Sequence, residues 1–176
     1  MAKMFYKKNH KGLSTIVVTV ILIALSMAAV VLVWVFVNNM IKKQISSSES
    51  CFENYNKVKL NPQYTCFKRI SSTNYSLRFS LSVGDAVVDK VIVSVASASA
   101  IKSYEITSTA QNITGLLMYP SNISLIVLPS KNGGLTYTAT EFTSGIDGIT
   151  IAPVIGGNKC EVSDSITDIE DCAIMT

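Results

Sequence analysis

The 176 residues contain a single histidine, His10, near the start of the chain. Past it there is no imidazole to act as a base, which excludes serine hydrolysis by a His-based triad. Metal chemistry is equally poorly supplied. The four cysteines, Cys51, Cys66, Cys160 and Cys172, include no Cys-x-x-Cys pair, so a zinc site is not expected. Phosphate-cradling loops are missing too, because Gly133-Gly134 and Gly156-Gly157 stand in neither a GxGxxG nor a GxxxxGK context. Five acids crowd the tail, at Glu161, Asp164, Asp168, Glu170 and Asp171, but not at the spacing of a calcium loop. They read as solvated surface. Asp85 and Asp89 form a carboxylate pair that nothing in their surroundings singles out. The expectation is a protein with no catalytic residues, no metal and no cofactor.

Charge is the next absence. From Leu13 to Val37 there are 25 residues without one charge, and the next ionisable side chain is Lys42. Roughly 20 such residues suffice to cross a bilayer. The excess of positive charge is confined to the leader: Met1–Gly12 holds four lysines and no acid, leaving 11 basic against 12 acidic side chains in the rest. No basic face with interleaved aromatics remains to hold nucleic acid. Four lysines before the run and two after it, Lys42 and Lys43, place the N-terminus in the cytoplasm and the rest outside by the positive-inside bias.

An uninterrupted helix from Leu13 to Ile45 would extend about 50 Å, with no Pro or Gly in it. Val, Ile, Leu and Ala occupy nearly every face, and a helix apolar all round must be buried in lipid or among other helices. Ala24 and Ala28 give a small-xxx-small spacing that permits close helix approach, and Trp34 lies where an interfacial anchor would. Ser26-Met27-Ala28 resembles a secretory cleavage site, but Val30–Val37 behind it is too apolar to open a soluble domain.

Lys11-Gly12-Leu13-Ser14, followed by Thr15-Ile16-Val17-Val18-Thr19-Val20-Ile21-Leu22-Ile23, resembles the class III signal of archaeal type IV pilin-like proteins. The resemblance covers about 30 residues. It implies that a prepilin peptidase cuts between Gly12 and Leu13, that the basic leader 1–12 is lost, and that the helix is retained for assembly. The resemblance to bacterial type IV pilins is weaker: their glutamate at the fifth mature position is replaced by Val17. The Gly-rich opening of archaellins is also missing, so an adhesion-type or minor pilin fits better.

Beyond the helix, Ser46-Ser47-Ser48-Glu49-Ser50 breaks the apolar pattern and reads as a polar, flexible stem. Residues 51–176 read as a β-rich head domain, giving an α+β chain: a long N-terminal hydrophobic helix followed by an all-β, sandwich-like head. Leu77, Phe79, Leu81 and Val83 alternate with polar residues in a half-buried strand. Further strands are expected over 87–95, 101–107, 123–128, 135–142 and 149–155. Asn132-Gly133-Gly134 carries a hairpin signal and Asp147-Gly148 a turn. Helical signals in the head are confined to 51–59.

An even cysteine count in an exported domain favours disulfides. Three pairings are open. Cys51–Cys66 with Cys160–Cys172 is preferred here because each bond closes a short local loop. Three sequons, at Asn74, Asn112 and Asn122, are candidate N-glycosylation sites, and the pilin-like resemblance implies that surface subunits of this kind are often glycosylated.

Two readings follow. One is a structural subunit that meets a prepilin peptidase, sits in the membrane before assembly, and then forms homo- or hetero-oligomers with other pilin subunits through its helix. The alternative is an uncleaved, single-pass membrane-anchored binding module.

Overall fold

The computed structural model describes residues 11–173. The first ten residues, with Lys3, Lys7 and Lys8 of the basic leader, lie outside them. The chain is α+β. It divides at Ser46/Ser47 into two compact units, and a single helix, α1 (Lys11–Glu53), begins in the first and ends in the second.

The 43 residues of α1 exceed the expected length because the serine run does not break the helix. Serine disfavours a helix interior by only about 0.5 kcal/mol per residue, and the helix end is held firmly. Cys51, in the last turn, is disulfide-bonded to Cys160. Asn54 donates from Nδ2 to the Ser50 carbonyl at 2.8 Å, satisfying an acceptor that the helix end leaves open. Asn56 then takes a left-handed conformation (φ 62°) that turns the chain away. The expected flexible stem at 46–50 is therefore helix.

The remainder is predominantly β. The strands are β1 (Val58–Leu60), β2 (Cys66–Ser71), β3 (Asn74–Val83), β4 (Lys90–Ser97), β5 (Ile101–Thr107), β6 (Gln111–Asn112), β7 (Leu116–Met118), β8 (Leu125–Ile126), β9 (Gly133–Phe142), β10 (Ile146–Ile155), β11 (Asn158–Lys159), β12 (Asp164–Ile166) and β13 (Glu170–Asp171). One sheet runs in the order β13-β2-β3-β9-β7, with β1 also on β3. A second runs β11-β10-β4-β5, with β12 also on β10, and β6 pairs with β8 separately. β1 and β2 lie along the same edge of β3, separated by the 3-10 turn Pro62–Tyr64.

Period-two alternation explains both sheets. Leu77, Phe79, Leu81 and Val83 of β3 and Val91, Val93 and Val95 of β4 are all buried, and they share one core with Ile149 and Ile151 of β10. The two inner faces thus meet in a sandwich-like arrangement. Phe79 and Tyr137 are cross-strand partners between β3 and β9, with ring centroids 5.3 Å apart.

Three local expectations are corrected. Asn132-Gly133-Gly134 does turn the chain, with Asn132 at φ 57°, but it joins no hairpin, since β9 pairs with β3 and β7. Asp147-Gly148 lies inside β10, at a bulge opposite β4, and the turn falls earlier, at residues 143–145. The strand expected over 87–95 starts at Lys90, and Val87 is exposed.

Candidate functional site

Three features are candidates for function: the surface of α1, the disulfides and sequons of the head, and a cleft on the head. The motif Lys11-Gly12-Leu13 forms the first residues of α1. From Thr15 to Lys42, 28 residues are long and apolar enough to cross a membrane, and none of their most apolar stretch is buried. Ile16, Leu22, Leu32 and Phe36 are each at least 60% exposed. Thr19 and Ser26 do not disturb this surface. Each donates its hydroxyl to a carbonyl three residues back, Ile16 and Ile23, at 2.8 Å. Their polar groups are satisfied within the helix and need neither water nor a partner.

The disulfides join Cys51 to Cys160 and Cys66 to Cys172, so the preferred local pairing is wrong. The reason is the return of the C-terminal segment across the first sheet. β13 runs parallel to β2, and the Cys172 N–H bonds to the Phe67 carbonyl at 2.9 Å. Cys160 is placed by the end of β10, its N–H bonding to the Pro153 carbonyl at 2.9 Å. Closeness in sequence carried no information about either contact. Both bonds agree with a head that folds in an oxidising compartment.

The sequon residues Asn74, Asn112 and Asn122 are all exposed: Asn74 opens β3, Asn112 lies in β6, and Asn122 sits in a turn with φ 53°. The carboxylates noticed in the sequence have structural partners. Lys131 forms an ion pair and hydrogen bond with Asp85 and holds its carboxyl below the usual range. Asp89 accepts the Gly157 N–H at 2.9 Å. In the acidic tail, Asp164 is half-buried rather than solvated and accepts the Leu60 N–H at 2.9 Å, while Asp168 and Glu170 are exposed. No group of three or more His, Cys, Asp or Glu side chains is arranged to hold a metal ion among the described residues.

The cleft is the feature that sequence reasoning missed. It measures about 830 Å³ and is lined by residues from the 3-10 turn, β2, β3, β9 and the C-terminal segment. Arg78 is among its lining residues. In the β2–β3 register Arg78 faces Cys66, so the guanidinium shares a sheet face with the Cys66–Cys172 disulfide. Its Cζ lies 4.0 Å from the centroid of the Tyr119 ring, a cation–π contact. Its Nε is buried without a hydrogen-bond partner. Tyr64 and Tyr119 are 60% and 41% exposed. Asp168, Glu170 and Thr136 add oxygen atoms to the lining. These residues are scattered from 64 to 170 in the sequence, and only the fold brings them together.

No protein-family model, curated protein or solved structure matches this chain.

Proposed function

We propose that this chain is a structural subunit of an archaeal type IV pilus-like surface filament, cut after Gly12 by a prepilin peptidase and assembled through its N-terminal helix. The observation that carries this reading is the surface of α1, apolar on every side from Ile16 to Val37 and with the Thr19 and Ser26 hydroxyls turned onto its own backbone. Such a surface needs an apolar host. Before assembly the host is the bilayer, with the leader cytoplasmic and the head outside. In the filament the host is the helices of other subunits, and Ala24 and Ala28 are positions where two helices come close. The head, stapled twice by disulfides, is the part displayed. Catalysis and cofactors have no role in this reading.

The cleft on the head favours a second reading, an uncleaved anchor that displays a binding module. N-terminal sequencing of the protein from its host separates the two. A chain beginning at Leu13, found in high-mass filaments, is the expected result. A chain retaining the leader and remaining in the membrane selects the anchor. Gly12→Val is the direct test of processing: if mature size does not change, the pilin-like reading fails.

A further inference from the structure

We propose that the cleft around Arg78 binds a neutral, hydroxyl-rich saccharide. Its volume of about 830 Å³ lies within the range of ligand sites, roughly 300–1,000 Å³. The lining combines three kinds of group that a sugar ring requires together. Tyr64 and Tyr119 present exposed ring surface on which the C–H face of a pyranose can lie. Arg78 lines the cleft and supplies only donors. Asp168 and Glu170 supply only acceptors when ionised, and the Thr136 hydroxyl serves as either.

Charge selects among ligand classes. Among the described residues Arg78 makes no ion pair with Asp168 or Glu170, so each group keeps hydrogen-bonding capacity for a ligand. An anion drawn to Arg78 meets two carboxylates, and a cation drawn to the carboxylates meets the guanidinium. A neutral polyol is opposed by neither, because each hydroxyl both donates and accepts. Exposed aromatic residues combined with donors and acceptors of opposite charge therefore favour a sugar over an ion. The inference concerns the head alone and stands whether or not the helix polymerises.

The test uses the full chain in a sugar-free amine-oxide detergent. The probes are neutral trisaccharides of glucose, mannose, galactose and N-acetylglucosamine, together with trigalacturonate and an uncharged polar hexapeptide. Saturation-transfer NMR should show contact with at least one neutral trisaccharide at about 10 mM, followed by titration to obtain Kd. Tyr64→Ala removes an exposed ring and leaves the core intact. Arg78→Met keeps the packed stem and removes the donors. Each should weaken binding about tenfold or more with an unchanged melting transition. The proposal is overturned if no neutral trisaccharide receives saturation, if trigalacturonate or the hexapeptide binds more tightly than all four, or if Tyr64→Ala binds as the parent does.

Discussion

Cys51, in the last turn of α1, and Cys160, just beyond β11, are bonded with Cα atoms 5.4 Å apart across 109 residues of sequence. The second bond, Cys66–Cys172, spans 106 residues and interleaves with the first. Loops of about 100 residues stabilise by roughly 4–5 kcal/mol in the chain-entropy model, and measured losses fall between about 2 and 5. Non-reducing proteolysis and mass spectrometry should recover Cys51 peptides joined to Cys160 and Cys66 peptides joined to Cys172. Cys51→Ser with Cys160→Ser should lower stability by about 2–5 kcal/mol. Because the two loops overlap, removing both bonds should cost less than the sum. A recovered Cys51–Cys66 peptide would contradict the fold of the C-terminal segment.

Strands were legible in the sequence wherever one face meets the core. The alternation in Leu77–Val83 is the burial pattern of β3, and Ile101–Thr107 coincides with β5. Register between distant segments was not legible. Nothing local to Cys172 records that β13 runs beside β2, and a preference for short loops therefore chose the wrong pairing. The helix end was misread because serine looks like a linker residue, whereas Cys51 and Asn54 fix that end from outside the run. The cleft was invisible for the same reason as the disulfides. Tyr64, Arg78 and Tyr119 follow no shared periodicity and meet only after the first sheet has formed.

Two buried tyrosines should give the head opposite responses to one substitution. The Tyr137 hydroxyl donates to the Val127 carbonyl at 2.7 Å, whereas the Tyr104 hydroxyl is buried without a hydrogen-bond partner. Tyr137→Phe should cost about 1 kcal/mol at neutral pH, and Tyr104→Phe should be neutral or stabilising. Burial, with a smaller contribution from the Glu141 charge, pushes Tyr104 up to about 12, and burial also raises Tyr137. Between about pH 10 and 12 the unfolded chain has released these protons while the folded one keeps them, so stability falls as pH rises. The contribution is complete below about pH 10. Urea titrations from pH 8 to 12 should show the decline, and a shallower decline for Tyr104→Phe. An unchanged slope in that variant would remove Tyr104 from the account.

Gly133 is where the turn into β9 admits no side chain. A Cβ there would sit 2.9 Å from the Ser130 carbonyl oxygen, the atom to which the Gly133 N–H bonds at 2.8 Å. Gly133→Ala must displace backbone rather than a flexible side-chain end, and should cost about 1–3 kcal/mol. Gly145 is the control, with no atom within 4 Å of its Cβ position. Gly145→Ala should lie within about 0.5 kcal/mol of the parent. Thermal unfolding of the two variants side by side tests the difference, and equal Tm values would show that the turn can relax.

The apolar residues of α1 set how much added charge the helix tolerates in a bilayer. Thr15–Lys42 contains 16 Leu, Ile, Val and Phe residues. At about −0.3 to −0.6 kcal/mol each, they favour insertion by at most about 5–10 kcal/mol. One central lysine costs about 2.5–3.5 kcal/mol, so Leu25→Lys should remain inserted. Leu25→Lys with Val30→Lys costs about 5–7 kcal/mol and brings insertion close to balance. Ser26→Ala should be silent, because the Ser26 hydroxyl already bonds to the Ile23 carbonyl. Alkaline carbonate extraction of membranes gives the readout: retention for Ser26→Ala and Leu25→Lys, substantial release for the double variant. Complete release of Leu25→Lys would mean that the apolar surface alone does not hold the helix. Full retention of the double variant would mean that other helices, rather than lipid, already enclose it in the membrane.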